Sequence, residues 1–279
     1  MSDSATVGVA AVTRDYVDAD AILHAADLAM YQAKHAGKDD VCVHDAASHD
    51  AIETRMRLAT DLPGALERGE LVLHYQPKLA LATGSVDGVE ALVRWQHPTR
   101  GLLYPDAFID LAESAGLMAQ LTAQVIDMAL AQCRSWYDRG RLLTMAVNVS
   151  PSNLVDEAFP DQVRALLARY ELSAGCLVLE VTESLLMEDR DRAVRVLRRL
   201  RDDGIGVAID DYGTGYSSLA YLATLPVTEL KLDRAFVTGM TESPRAESIV
   251  TSTLQLAHAL GLVLVAEGAE DQIGEHTSE

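Results

Sequence analysis

Asp210-Asp211-Tyr212-Gly213-Thr214-Gly215 follows a short apolar run, Gly206-Val207-Ala208-Ile209, that predicts a buried β-strand. Two adjacent carboxylates at the end of such a strand repel one another, and each raises the pKa of the other. A divalent cation would stabilise both ionised forms. The stretch therefore predicts a metal site where a strand ends, with a solvated acidic loop as the plainer alternative.

The composition is that of an α/β protein with a large excess of acidic groups. Of 279 residues, 49% are hydrophobic, and the formal net charge is −19. This charge argues against binding to DNA, RNA or an anionic membrane surface. The cysteines Cys42, Cys133 and Cys176 show no paired pattern and no metal-ligand spacing, which favours reduced thiols. We find no signal peptide and no run that would span a bilayer, so we expect a cytoplasmic chain without membrane contact.

The chain is expected to have three parts. Residues 1–45 read as strand, helix and strand, a piece too small to fold well alone. Residues 46–70 read as a helical connector that Pro63-Gly64 should interrupt. Strands and helices then alternate through a larger domain at residues 71–279, which indicates an α/β fold with a mostly parallel sheet.

We predict seven strands in the larger domain, whereas a closed (β/α) barrel needs eight. They are Leu71–Tyr75, Val86–Arg94, Thr144–Val149, Cys176–Val181, Gly206–Asp210, Val227–Leu232 and Leu262–Ala266.

Polar residues recur where these strands end. They are Glu90, Asn148, Glu180, Asp210, Asp211, Lys231 and Glu267. In a barrel of parallel strands these ends meet on one face, and that face carries the active site. Oxygen ligands without Cys or His suit Mg²⁺ or Mn²⁺. Six strand ends in succession therefore predict a divalent-metal site with a lysine beside it.

The sequence around these strand ends resembles the EAL family of cyclic di-GMP phosphodiesterases. The matching segments occur in the same order and cover roughly three quarters of the chain. The resemblance rests on Tyr75-Gln76-Pro77, Glu90-Ala91-Leu92-Val93-Arg94-Trp95, Asn148-Val149-Ser150, Glu180-Val181-Thr182-Glu183-Ser184, the segment from Asp210 to Leu219, Lys231-Leu232-Asp233-Arg234 and Ala266-Glu267-Gly268-Ala269-Glu270. It implies a TIM-like (β/α) barrel with one antiparallel strand. It also implies that two divalent ions support the hydrolysis of cyclic di-GMP to linear pGpG.

The same resemblance assigns a role to each residue of the site. Two Mg²⁺ or Mn²⁺ ions would be held by Glu90, Asn148, Glu180, Asp210, Asp211 and Glu267. Lys231 would orient or deprotonate the attacking water, with Glu267 beside it in the catalytic set. Gln76 and Arg94 would contact the substrate, and Arg94 would pair with a phosphate.

Three further acidic residues, Glu183, Asp233 and Glu270, would by resemblance steady the ligands and the loop after Asp211. Plainer roles stay open for three residues of the site. Asn148 would cap the turn at Ser150-Pro151, Lys231 would pair with Asp233, and Arg94 would pack on Trp95.

The N-terminal part resembles the C-terminal end of a GGDEF (diguanylate cyclase) domain. The resemblance lies in Val7-Gly8-Val9-Ala10 and in Ala26-Asp27-Leu28-Ala29-Met30-Tyr31-Gln32-Ala33-Lys34. The Gly-Gly-Asp/Glu-Glu-Phe signature of that family is absent from the sequence, so we expect no cyclase activity.

Two further expectations concern the end of the chain and its partners. The sequence stops at Glu279, before the last strand that the EAL family carries, so we expect a barrel lacking that strand. By resemblance, the loop and helix near Tyr212 to Leu225 would form a homodimer. The leading interpretation is a cyclic di-GMP phosphodiesterase, and the alternative is a catalytically weak or inactive cyclic-di-GMP-binding or dimerisation module.

Overall fold

The structure, a computed structural model, describes residues 6–10, 19–36, 41–43, 46–182, 189–213, 222–238, 240 and 243–268. The chain divides into two units. The first comprises Met1–Glu67 and Asp106–Ala115, and the second comprises Arg68–Pro105 and Gly116–Glu279. Among the helices in the described part, none is both long and apolar enough to cross a membrane.

The first unit begins with the predicted order of strand, helix and strand. Strand β1 (Val7–Val9) pairs in parallel with β2 (Val41–Val43), and helix α1 (Ala19–Ala36) connects them. The side chains of Ala25 and Ala29 on α1 are buried. A parallel pair needs such a crossover, because a tight turn cannot join strands that run in the same direction.

Helix α2 (Ala46–Arg68) is continuous, so the predicted interruption at Pro63-Gly64 is wrong. A proline inside a helix removes one backbone N–H donor and costs about 3 kcal/mol. Leu62, Ala65 and Leu66 around it are all buried. Burying that apolar face offsets the cost, which is why the helix passes through the proline. The unit also contains the short helix α3 (Ile109–Ser114).

The second unit is built on a curled, mixed sheet that forms a half-barrel. Its strands are β3 (Leu71–Ala80), β4 (Ser85–His97), β5 (Gly101–Leu103), β6 (Thr144–Asn148), β7 (Leu177–Thr182), β8 (Gly206–Tyr212), β9 (Glu229–Leu232) and β10 (Val263–Ala266). The order is β10-β9-β8-β7-β6-β4-β3, with β5 beside β4. Strands β3 and β5 run antiparallel to β4, and the other neighbours are parallel. The predicted strands are confirmed, with β5 as a short addition.

Along the chain, the described helices of this unit alternate with the parallel strands, as the sequence pattern predicts. They are α4 (Met118–Tyr137), α5 (Pro151–Leu154), α6 (Phe159–Arg169), α7 (Arg190–Asp202), α8 (Arg234–Val237) and α9 (Pro244–Leu260). The sequence did not predict the single-turn helices α5 and α8. The helix expected at residues 217–223 falls mostly outside the described residues.

The inner face of the sheet is arranged in layers. Ala146, Val178 and Ala208, on three adjacent strands, form one buried cluster. Residues two apart on a strand point to the same face. The residues two positions further along these strands, Asn148, Glu180 and Asp210, therefore share this face, one step closer to the carboxyl ends. The small apolar layer supports the polar one.

The fold also brings together two cysteines that the sequence suggests are unpaired. The thiols of Cys133 on α4 and Cys176, just before β7, are buried near each other, and Cys133 Sγ donates to the Leu143 carbonyl at 3.9 Å. Interaction with the neighbouring Cys133, together with burial, raises the pKa of the Cys176 thiol. Both cysteines are free thiols in the structure.

Candidate active site

Lys231 lies at the centre of the polar layer, at the carboxyl end of β9. Its side chain is 2% exposed. The ammonium Nζ contacts four carboxylates: Glu267 Oε1 at 2.7 Å, Glu180 Oε2 at 2.8 Å, Asp210 Oδ2 at 3.1 Å and Glu90 Oε2 at 3.2 Å. Burial alone lowers the pKa of Lys231, but the carboxylates raise it well above its ordinary value. The amine is therefore charged, and it joins β9 to residues from four other strands or strand ends.

Asp210 and Asp211 approach one site because the strand changes conformation between them. Adjacent side chains on a regular strand point to opposite faces. Asp211 has a φ of 53°, in the left-handed region, and its backbone N–H donates to Asp210 Oδ1 at 2.9 Å. Gly213 follows with a φ of 102°, and a Cβ there would lie 2.8 Å from Phe236 Cε2. The glycine of the sequence motif thus allows both a turn and a close approach.

Carboxylate oxygens of Asp210, Asp211 and Glu267 lie within 4.8 Å of one another. Burial raises the pKa of Asp211, and the neighbouring Asp210 and Asp233 raise it further. Burial also raises the pKa of Glu267, against the lowering effect of Lys231. A bound cation relieves this kind of repulsion, because it stabilises the ionised carboxylates.

Asp211→Asn is expected to stabilise the metal-free protein at pH 7.5. A carboxyl group whose pKa is raised by folding favours the folded state below its unfolded pKa, and this contribution is lost as pH rises through the folded pKa. Asparagine carries no charge and tolerates the left-handed conformation. The gain should be at most about 1 kcal/mol, because solvent screens this partly exposed group.

Urea unfolding of both proteins in EDTA at pH 4.5 and 7.5 measures this effect. The variant should be the more stable protein at pH 7.5, and the difference should shrink at pH 4.5. A variant that is less stable at pH 7.5, or a gain that does not change with pH, would contradict the repulsion.

The structure also places the other predicted residues. Asn148 Nδ2 donates to Glu90 Oε1 at 2.8 Å. The backbone N–H of Ser150 donates to Asn153 Oδ1 at 3.2 Å, so these two residues cap α5. Asp233 Oδ1 accepts from the Ala235 N–H at the start of α8, at 2.9 Å. The cap considered for Asn148 is therefore made by Ser150 and Asn153, and Asp233, the partner considered for Lys231, caps α8.

The two predicted substrate residues lie on the antiparallel hairpin. Gln76 is directly opposite Glu90 in the β3–β4 register, so their side chains share a face. The Arg94 guanidinium stacks on the Tyr104 ring, with 4.8 Å between Cζ and the ring centroid. Its Nη1 donates to the Val93 carbonyl at 2.7 Å. Arg94 is thus held by Tyr104, where the sequence suggested Trp95. Glu183, Glu270 and most of the loop after Asp211 lie outside the described residues.

Sequence reasoning missed Lys78 and Glu229. Lys78 Nζ donates to Glu180 Oε1 at 2.7 Å and lies 3.9 Å from Glu229 Oε2. The rarity of lysine could have drawn attention to Lys78. Of 23 basic residues, only four are lysines: Lys34, Lys38, Lys78 and Lys231. Lys78 also lies two positions after Gln76, on the same face of β3.

The charges of the site favour a bound cation. The carboxylates of Glu90, Glu180, Asp210, Asp211 and Glu267 outnumber the ammonium groups of Lys78 and Lys231 by five to two. The donors are oxygens, which suit hard divalent ions such as Mg²⁺ or Mn²⁺. The residues present therefore fit a divalent-metal site.

Comparison with known proteins agrees with this geometry. The family model described as EAL domain matches residues 59–277. The chain is 41% identical over 270 residues to the bifunctional diguanylate cyclase/cyclic di-GMP phosphodiesterase MucR of Pseudomonas aeruginosa, covering 96% of this chain and 39% of MucR. It is 42% identical over 268 residues to the cyclic di-GMP phosphodiesterase NbdA of the same organism, covering 96% of this chain and 34% of NbdA. The chain thus spans less than half the length of these relatives.

A solved structure of the P. aeruginosa MucR phosphodiesterase in complex with cyclic di-GMP matches with a TM-score of 0.73. The sequences are 45% identical, and the match covers 77% of this chain and 88% of the other.

Proposed function

The chain belongs to the EAL domain family, and from this premise we propose that its second unit hydrolyses cyclic di-GMP to linear pGpG. The observation that carries the proposal is the gathering of Glu90, Glu180, Asp210 and Glu267 around Lys231 at the strand ends. Two relatives at about the same level of identity are named as cyclic di-GMP phosphodiesterases. A structure at 45% identity is a complex with this dinucleotide.

The proposed reaction requires two Mg²⁺ or Mn²⁺ ions. We assign Glu90, Asn148, Glu180, Asp210, Asp211 and Glu267 as their ligands. Bound divalent ions would supply a nucleophilic water at neutral pH and stabilise the charge that develops on the phosphodiester. They would also offset the acidic field that an anionic substrate meets in this protein.

The chain's own side chains would orient the reactants. Lys231, which was expected to orient or deprotonate the attacking water, would orient it, because a charged ammonium donates hydrogen bonds and cannot accept a proton. Glu267 would lie beside it. Gln76 and Arg94 would contact the substrate. Arg94 Nε is buried and has no hydrogen-bond partner in the described part of the chain, which leaves a donor for a phosphate oxygen. Asp233, through its cap on α8, would steady the segment after Lys231, and we assign similar roles to Glu183 and Glu270.

Incubation of the purified chain with cyclic di-GMP and MnCl₂ or MgCl₂ is expected to yield pGpG. Chromatography of the nucleotides measures the reaction, and the same incubation in EDTA is the control. Hydrolysis in EDTA would contradict the metal requirement. Cyclic di-GMP that stays intact with both metals would contradict the proposed activity.

A cyclic-di-GMP-binding module without turnover is the second candidate. Within the described residues, β10 pairs only with β9, so Glu267 follows an edge strand of the sheet. Its side chain is partly exposed at this open side. Calorimetric binding of cyclic di-GMP without pGpG formation would favour this candidate over the enzyme.

We also propose the domain boundaries and the partners. Residues 1–45 would be the end of a GGDEF domain, residues 46–70 a connector and residues 71–279 the phosphodiesterase domain. The parallel β1–β2 pair and alignments covering 96% of the chain support the first assignment. A homodimer through the loop and helix after Asp211 remains a prediction that sedimentation at several concentrations would test. A cytoplasmic location is likewise a prediction.

A further inference from the structure

Lys78 connects distant strands of the curled sheet. It lies on β3, whereas its partner Glu180 lies on β7, and both β4 and β6 intervene. A lysine side chain can bridge that separation only because the sheet curls and brings its inner faces together. The Lys78 side chain is 16% exposed, and that of Glu180 is fully buried. The ion pair therefore crosses the interior of the half-barrel.

Small residues lie on the inner face of the sheet near Lys78. Gly88 lies directly opposite Lys78 in the β3–β4 register. A Cβ on Gly88 would lie 2.2 Å from Thr144 Oγ1, so no side chain fits there. Ala146 and Ala208 belong to the same inner layer. The Thr144 side chain thus occupies the space beside Gly88, and the inner face next to Lys78 carries small residues.

The two oxygens of Glu180 have different partners. Oε1 accepts from Lys78 at 2.7 Å, and Oε2 accepts from Lys231 at 2.8 Å. The terminal torsion of a glutamate has a broad energy minimum, so the carboxylate needs fixed partners to keep one orientation. Glu180 Oε2 shares the Lys231 ammonium with Asp210 and Glu267, whereas Lys78 binds the other oxygen, Oε1.

We propose that Lys78 is a positioning residue for the metal-binding carboxylate of Glu180. By holding Oε1, it presents Oε2 to the proposed metal face. This inference rests on the proposed function of the site. Lysine suits the task better than arginine, because a guanidinium binds carboxylates through both oxygens, whereas an ammonium can bind one. This fits the presence of lysine at position 78 in a chain whose basic residues are mostly arginine.

Lys78→Met alone would not isolate this role. It would leave Glu229, 3.9 Å away, without its counter-charge, and the added negative charge would attract cations more strongly. The informative variant is Lys78→Met with Glu229→Gln, because it removes one positive and one negative charge together. The charge-matched control is Arg195→Met with Glu157→Gln, a pair at 3.4 Å whose side chains are both exposed.

The primary measurement is thermal unfolding over a MnCl₂ titration, which does not depend on turnover. The Mn²⁺ concentration that gives half of the stabilisation should rise about 10- to 100-fold in the Lys78/Glu229 variant, as is typical when a residue supporting a metal ligand is lost. The control pair should match the wild type. At saturating Mn²⁺, kcat for cyclic di-GMP should remain reduced while KM changes less than about twofold, because the altered group lies under the metals and not at the nucleotide.

The outcomes separate this inference from the proposed function. A wild-type Mn²⁺ midpoint in the Lys78/Glu229 variant would overturn the positioning role, because charge balance alone would then explain the contact. A wild-type protein that binds Mn²⁺ but leaves cyclic di-GMP intact would overturn only the proposed function. A wild-type protein with no response to Mn²⁺ would overturn both.

Discussion

Lys231→Met is expected to abolish turnover and to make the fold depend on bound metal. Lys231 is the buried cation among four carboxylates, and the side chains of Glu90, Glu180 and Asp210 are 14%, 0% and 13% exposed. Removing one partner from a buried ion pair costs about 3–5 kcal/mol, because the remaining charges are left without compensation. Methionine keeps the length of the side chain and loses only the charge and the donors.

The loss of stability should be large in EDTA and small in saturating MnCl₂. A divalent ion can replace the lost positive charge, and binding at 100 times its Kd adds about 2.7 kcal/mol to the folded state. The metal cannot replace the ammonium beside the attacking water, so turnover should fall about 10²- to 10⁴-fold at any Mn²⁺ concentration. Urea unfolding in both buffers and pGpG formation measure the two effects.

The control for this prediction is Arg198→Met, which removes the same charge from an exposed position on α7. It should leave stability and turnover close to those of the wild type, since most surface substitutions change stability by no more than about 0.5 kcal/mol. If Lys231→Met lost equal stability in EDTA and in Mn²⁺, the ammonium and the metal would not share the same carboxylates.

Much of the candidate site follows from local rules of the sequence. Residues at the carboxyl ends of parallel strands must share an edge of the sheet, and this places Asn148, Glu180 and Asp210 together whatever the detailed curvature. Alternation along the strand then fixes which side chains share a face. The prediction of Lys231 as their neighbour follows in the same way, from its position near the end of β9.

Contacts that depend on the curl of the sheet do not follow from such rules. The Lys78–Glu180 pair spans 102 positions and two intervening strands, and no local pattern measures the distance between inner faces. The contact between Cys133 and Cys176 likewise depends on how α4 packs beside the start of β7. Pro63 is the opposite case. The local rule that a proline interrupts a helix predicted a break there, but burial of the surrounding apolar face stabilises a continuous helix.

Asp210→Asn is expected to remove the stabilisation by Mn²⁺ and to lower turnover by at least about 10³-fold, which corresponds to about 4 kcal/mol of lost transition-state stabilisation. Asparagine keeps Oδ1, so the hydrogen bond from the Asp211 N–H at 2.9 Å can persist and the left-handed turn is retained. What changes is the charge that faces Asp211 and Glu267.

Without metal, the Asp210→Asn protein should therefore be nearly as stable as the wild type. The variant loses an ion pair with Lys231 at 3.1 Å. It also loses the repulsion that raises the pKa of Asp211 and of Glu267, and this gain offsets the loss. Thermal unfolding in EDTA and in MnCl₂ distinguishes a damaged fold from a damaged metal site. A damaged metal site leaves the unfolding curve in EDTA unchanged and removes the increase in unfolding temperature that Mn²⁺ causes. Asp203→Asn, which neutralises a surface carboxylate 3.1 Å from Arg164, is the matched control and should keep the full Mn²⁺ shift. If Asp210→Asn kept that shift as well, the cation would be bound elsewhere, and the Asp210-Asp211 pair would be the solvated acidic loop that the sequence alone also allows.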